Sequence, residues 1–230
     1  MTGEPHCAVG VPNVGPFGDP VLLVELAVAA EEHGWDGFFI WDHLLYHDQH
    51  WDVADPVAVI AAVAARTARI RFGILVNVLA RRRIGEVARE SVTVDLLSGG
   101  RLVVGAGLGS LEAEFTAFGE SGDARQRAAR LDESLGLLDA LWSGEPVTMR
   151  GEYLTATDVR MLPRHQPRAS IHQVSPASRY GATCPPPRSG AAPSVRPSKI
   201  TSNGPFPVRC WRVYCTTARS SSGGMVWPRP

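Results

Sequence analysis

Two apolar rhythms alternate along most of the chain. Short uninterrupted apolar runs read as strands, and longer stretches with apolar residues every three to four positions read as helices. Ala8–Pro12 is the first run. Asp19-Pro20 then opens a stretch carrying Leu22, Leu23, Leu26, Ala27 and Ala30, which ends at Gly34. An Asp carboxylate accepts the unpaired N–H groups of a first helical turn. Pro at the next position lacks an N–H that would go unused there, and Gly suits the left-handed closing position. Gly37–Trp41 is a second strand, and Asp55-Pro56 opens a second helix to Thr67. Ile70–Val78 is a third strand, interrupted by Arg71 and Asn77; a helix from Ile84 to Leu97 stops at Ser98-Gly99-Gly100. Arg101–Ala106 is the fourth strand, and Gly107 to Gly122 reads as a loop. Asp123, with Gln126 at the capping-box position, opens a long helix to Trp142 that Gly144 ends. Val147–Arg150 and Tyr153–Leu162 around Gly151-Glu152 read as a hairpin.

The strand–helix unit thus occurs four times. Strands without polar alternation are buried on both faces, which predicts a parallel α/β sheet covered by helices. An open doubly wound sheet and a (β/α)8 barrel both satisfy this pattern. A barrel usually takes about 250 residues, and half of its units are visible here.

Charge divides the chain. The formal net charge is zero, from 23 basic and 23 acidic residues, yet every acid lies at or before Asp158. Residues 1–163 carry all 23 acids against 13 Arg, a net of −10; residues 164–230 carry nine Arg, one Lys and no acid. The second part also holds 11 of the 18 Pro and shows neither a helical nor a strand period. It reads as a tail without a recognisable domain. No apolar run approaches the ~18 residues of a membrane span. Met1 to Gly10 lacks the basic-then-apolar pattern of a signal peptide. Cys184, Cys210 and Cys215 have no CxxC spacing, so neither a zinc site nor a disulfide framework is expected, and the cytoplasm is the expected compartment.

Candidate chemistry gathers where strands end, because ligands bind at the carboxyl ends of parallel strands in both folds. Trp41-Asp42-His43 closes the second strand. The imidazole of His43 could donate a hydrogen bond or move a proton, with Asp42 orienting it; alternatively the pair is a capping Asp and a half-exposed His. His47, Asp48 and His50 follow, but with Asp42 and His43 they fit no metal-ligand spacing. Asn77 is a polar break at the end of the third strand, and Arg81-Arg82-Arg83 after it suit either an anion or surface acids. Gly105-Ala106-Gly107-Leu108-Gly109 follows the fourth strand without leading directly into a helix, which argues against a dinucleotide fingerprint. Its glycines allow a close-packed strand end or the approach of a flat ligand to the backbone.

Taken together, these residues resemble the luciferase-like family of flavin-dependent oxidoreductases. The resemblance runs in order through Glu32–His43, Ala54-Asp55-Pro56, Arg69–Gly73, Arg89-Glu90, Leu97–Leu102, Gly105–Gly109, Glu114-Phe115 and Leu131–Gly144. It implies a (β/α)8 barrel, here as its first four βα units plus a hairpin, with FMN or the deazaflavin coenzyme F-420 at the carboxyl-end face. A small organic substrate is implied, and a homodimer is compatible with it. Asp42 and His43 would be the catalytic pair beside the ring, His43 as proton donor or hydrogen-bond partner. Val76, Asn77, Gly107, Leu108, Gly109 and Ser110 would form the cofactor-binding set, with a non-prolyl cis peptide often found near Val76-Asn77. Ser110 stands where some deazaflavin-using members carry an acid. Glu114 is the nearest acid, or else a structural ion-pair partner.

The resemblance stops at Leu162-Pro163, and no further strands are expected after it. The basic tail reads as a disordered linker, as an arm for anionic surfaces or nucleic acid, or as the product of a shifted reading frame. The third explains most, since the acids vanish where the resemblance breaks. The competing functional classes are therefore an oxidoreductase, a non-catalytic remnant of one, and a basic binding module.

Overall fold

The computed structural model describes residues 7–47, 50–164 and the backbone of 171–173. Four βα units appear where the apolar pattern places them: β1 (Ala8–Val11) with α1 (Pro20–Glu32), then β2 (Gly37–Ile40) with α2 (Pro56–Arg66). β3 (Arg71–Val78) and α3 (Ile84–Ser98) follow, then β4 (Leu102–Gly107). The stretch read as a loop contains a short helix, α4 (Ala113–Thr116), which buries Glu114 and Phe115. The long helix α5 (Ala124–Trp142) and an antiparallel hairpin of β5 (Val147–Arg150) and β6 (Thr155–Val159) complete the series.

The expected helix starts form as their chemistry requires. The Asp19 carboxylate accepts the N–H of Val21 at 2.9 Å, Asp55 that of Ala58 at 2.7 Å, and Asp123 that of Gln126 at 2.8 Å. α3 closes through Gly99 and Gly100, both with positive φ.

Strand order decides between the two candidate folds. β1, β2, β3 and β4 lie side by side in chain order, every pairing parallel. A doubly wound sheet reverses its order and places helices on both faces. Here successive helices α1, α2, α3 and α5 each pack on the next. They share one core with Phe38, Ile40, Phe72, Ile74, Leu102 and Val104. Alternate strand residues point to the opposite face, where Ala8, Phe39 and Val103 form a separate cluster with Leu75. Helices on one side and an unreversed parallel order are the features of a barrel wall.

One expectation needs correction. Ile171–Gln173 forms a further strand, β7, which pairs in parallel with β4 through Val104, Gly105 and Ala106. A three-residue strand Ile-His-Gln leaves no readable period in sequence; only its place beside β4 reveals it. The rest of the tail, with its linker, arm and frame-shift readings, lies outside the described residues.

The amino-terminal end of the sheet is held by Arg101 and Glu31. Arg101 donates to the carbonyls of Ala64, Thr67, Ile70 and Ser98 and to the Thr67 hydroxyl, at 2.7–3.0 Å. The Glu31 carboxylate accepts the N–H groups of Ala68, Arg69 and Ile70. Burial raises the Glu31 pKa, but these N–H groups and the Arg101 charge outweigh it and hold the carboxyl below its usual range. These groups tie α2 and α3 to the strands that follow them, at the barrel end associated with stability.

Candidate active site

At the opposite end of the sheet the ends of β2, β3 and β4 enclose a cavity of about 370 Å³. Trp41, Asp42 and His43 contribute from β2, Leu75, Val76 and Val78 from β3, and Gly107 to Ser110 from β4, with Glu114 of α4 behind them. A volume of this size is within the range of small-molecule sites, about 300–1,000 Å³.

The polar side of the cavity is built around two buried acids and one buried guanidinium. Glu114 is 1% exposed. Its carboxylate lies 3.0 Å from Arg81 Nη1 and 3.2 Å from His43 Nδ1, and accepts the Leu44 N–H at 2.7 Å. Asp42 accepts the Val78 N–H at 2.9 Å and pairs with Arg81 Nη2 at 3.0 Å. Arg81 also donates to the Asp42 carbonyl. Burial raises the pKa of Glu114, yet the hydrogen bond from His43, the charge of Arg81 and the Leu44 N–H outweigh it and hold the carboxyl below the usual carboxylate range. Glu114 is therefore ionised at neutral pH and can only accept hydrogen bonds. The proton between it and His43 must sit on Nδ1. Nε2 is then the ring nitrogen left for chemistry, in a side chain that lines the cavity.

The backbone of His43 is fixed as tightly as its ring. Asn13, at the end of β1 and wholly buried, accepts the His43 N–H at 3.0 Å and donates to the His43 carbonyl at 2.9 Å. It also donates to the Ala54 carbonyl at 2.8 Å, which ties the strand end to the segment before α2. Tyr46 packs edge-on against the imidazole at 5.0 Å and stacks on Trp51 at 5.5 Å. Sequence reasoning did not single out Asn13. Its signal, a polar residue at the end of an apolar run, is the one that drew attention to Asn77.

Of the cofactor-binding set, Val76, Gly107, Leu108, Gly109 and Ser110 lie on the cavity wall. Asn77 does not. It lines a separate space of about 20 Å³ among Val57, Ile60, Val87 and Ser91, on the helix side of the sheet. Side chains alternate along a strand, so the residue after Val76 faces the other way. Leu75 and Val76 both reach the cavity because the pairing of β3 with β4 shifts register between Ile74 and Asn77. The peptide bond between Leu75 and Val76 is cis.

The glycines of β4 serve packing. A Cβ on Gly105 would stand 2.1 Å from Leu75 Cδ2, and one on Gly107 would stand 2.1 Å from Val76 Cγ1. The missing side chains make room for the β3 side chains that form the cavity wall. The close-packed strand end is thus the reading the geometry supports at Gly105 and Gly107. Arg81, considered as an anion ligand, is committed to Asp42 and Glu114. Arg82 pairs with Glu90 at 2.9 Å. Among the described residues no three His, Cys, Asp or Glu side chains are grouped to hold a metal ion, and no helix is long and apolar enough to cross a membrane. Asp48, weighed with His47 and His50 as a ligand, lies outside the described residues.

Comparison with known proteins puts this arrangement in context. The family described as "Luciferase-like monooxygenase" matches residues 12–187, continuing past residue 163 where the sequence resemblance was read to stop. The chain is 40% identical over 137 residues to the F420-dependent glucose-6-phosphate dehydrogenase of Nakamurella multipartita, covering 58% of this chain and 40% of that protein. The enzyme of the same name from Amycolatopsis mediterranei is 33% identical over 156 residues, covering 66% and 47%. The chain spans less than half the length of these curated relatives. Among solved structures, monooxygenase RslO1 from Streptomyces bottropensis superposes with a TM-score of 0.65 at 30% identity, covering 74% of this chain and 53% of that one. An F420-dependent secondary alcohol dehydrogenase in complex with an F420–acetone adduct gives a TM-score of 0.67 at 22% identity, covering 74% and 52%, which shows a shared fold.

Proposed function

The chain belongs to the luciferase-like monooxygenase family, and on that footing we propose that it carries the carboxyl-end half-site of an oxidoreductase that uses the deazaflavin coenzyme F-420 on a small organic alcohol or carbonyl compound. The relatives named above support the coenzyme, since their names are those of F420-dependent dehydrogenases. The observation that carries the reading is the His43–Glu114 pair at 3.2 Å, which leaves Nε2 as the working nitrogen.

The residues present fit such a cofactor. Leu75, Val76, Gly107 and Leu108 offer an apolar wall for a flat ring, and Asp42 and His43 stand at its polar side. When bound, the deazaflavin supplies hydride transfer, and the protein supplies position and electrostatics. His43 Nε2 takes the hydroxyl proton of a bound alcohol, or returns one to a carbonyl oxygen in the reverse direction. The Glu114 carboxylate stabilises the imidazolium formed in that step, and Asn13 holds the ring's backbone in place. Asp42 acts by fixing Val78 and Arg81.

A second reading, a monooxygenase using FMN, is favoured by Ser110. This hydroxyl lines the cavity where some deazaflavin users carry an acid. Titration of the purified full chain with F-420 and with FMN, followed by ring fluorescence, separates the readings. Saturable F-420 binding, with turnover that falls by at least about a hundredfold in His43→Ala, is expected. Saturation by FMN alone establishes the second reading, and a folded chain that binds neither is a non-catalytic remnant.

A further inference from the structure

A second cavity, of about 470 Å³, lies on the helix side of the sheet, between the start of α3, α5 and the β5–β6 hairpin. Of its lining, the proposed reaction involves Arg81, which turns toward Asp42 and Glu114. Its lining is divided: Leu137 and Leu141 of α5 and Met161 after the hairpin supply an apolar floor, while Arg82, Arg83 and Arg130 stand along it.

These arginines are not equally occupied. Arg82 has Glu90 at 2.9 Å. Arg83 meets Glu86 at 3.5 Å, with both side chains mostly in solvent, so that pairing is weak. Arg130 buries its Nε without a hydrogen-bond partner among the described residues. A buried guanidinium N–H without an acceptor is unfavourable, and the group's planar fork matches a carboxylate. An apolar floor beneath a guanidinium with an unpaired Nε is the complement of a molecule with an acidic head and a hydrocarbon body.

We propose that this cavity binds an amphipathic monocarboxylate, its carboxylate on Arg130 with Arg83 beside it and its aliphatic body on Leu137, Leu141 and Met161. A carboxylate with a hydrocarbon body suits the site better than inorganic phosphate, because phosphate has no apolar part to cover Leu137, Leu141 and Met161. The site is distinct from the cavity at the ends of β2, β3 and β4, although Arg81 of the polar network there also reaches its lining, and it does not depend on the cofactor reading.

The test is calorimetric titration of the full chain with octanoate, with no flavin or deazaflavin present. One saturable site is expected, with affinity reduced about tenfold or more in Arg130→Gln and also reduced in Arg130→Lys, which keeps the charge but lacks the fork. Octanol and inorganic phosphate should each bind at least about tenfold more weakly, since each lacks one half of the recognition. His43→Ala should leave octanoate binding unchanged. No saturable binding, equal binding by octanol, tighter binding of phosphate, unchanged affinity in a folded Arg130→Gln chain, or loss of binding in His43→Ala would each overturn the proposal.

Discussion

Replacing Glu114 with Gln removes one charge from the polar network and leaves the side-chain shape almost unchanged. In the wild type the carboxylate receives Arg81 at 3.0 Å, His43 at 3.2 Å and the Leu44 N–H at 2.7 Å, at a site 1% exposed. Hydrogen bonds to charged groups contribute about 1.5–3 kcal/mol each. Gln has one oxygen to offer and must turn its NH2 toward another donor. Arg81 keeps Asp42 at 3.0 Å, so it is not left as an unpaired buried cation, which would cost about 3–5 kcal/mol. The expected loss at pH 7 is therefore about 3 kcal/mol. Its pH dependence follows from the lowered pKa of the folded carboxyl. The carboxylate's contribution is complete above the ordinary glutamate value of 4.5 and is lost as pH falls through the lower folded value. Urea denaturation followed by tryptophan fluorescence should thus give a wild-type-minus-mutant gap that shrinks as pH falls below about 4.5. A gap under about 1 kcal/mol at pH 7, or one that fails to shrink below about pH 4.5, refutes the reasoning.

Two other substitutions test the parts of the fold that hold the site. Arg101→Ala removes five hydrogen bonds at the amino-terminal end of the sheet; a loss of about 3 kcal/mol is expected, read as a fall in thermal midpoint of about 6–12 °C. Arg101→Lys should recover only a minor part, because an ammonium cannot span four carbonyls, and full recovery would show that charge alone matters. Gly107→Ala places a methyl group 2.1 Å from Val76 Cγ1 and is expected to destabilise by about 1–3 kcal/mol. In a Val76→Ala background the nearest remaining Val76 atom, Cβ, is 3.4 Å away. The added cost of Gly107→Ala should then nearly vanish in a double-mutant cycle; independent, additive effects would show that the glycine serves something other than this contact.

Local chemistry makes much of the architecture legible in the sequence. Asp19, Asp55 and Asp123 announce helix starts because capping is decided within three residues. The uninterrupted apolar strands announce a parallel sheet because burial on both faces leaves no room for alternation. The choice of a barrel wall over a doubly wound sheet was not readable in the same way. Both use the same strands and helices, and they differ in which strand lies beside which. That is settled by pairings such as Phe38 with Phe72 and Ile74 with Val104, about 30 residues apart in sequence. β7 was missed for a related reason: three residues carry no period, and their partner lies in β4.

The site divides along the same line. Trp41, Asp42 and His43 could be placed because a strand end is a local feature and a functional position in every parallel α/β fold. The groups that give His43 its chemical character come from far along the chain. Glu114, 71 residues on, fixes the tautomer, and Asn13, 30 residues back, fixes the backbone. Asn77 shows what a strand end leaves open: side-chain direction depends on a single-residue register, and the irregularity between Ile74 and Asn77 is invisible in sequence. The glycines of β4 are the subtler case. A Gly-x-Gly run signals that something approaches the backbone closely, without saying whether it is a ligand or a neighbouring side chain. At Gly105 and Gly107 the neighbours are Leu75 and Val76. The glycines therefore shape the cavity indirectly, by letting β3 present two consecutive apolar side chains to it.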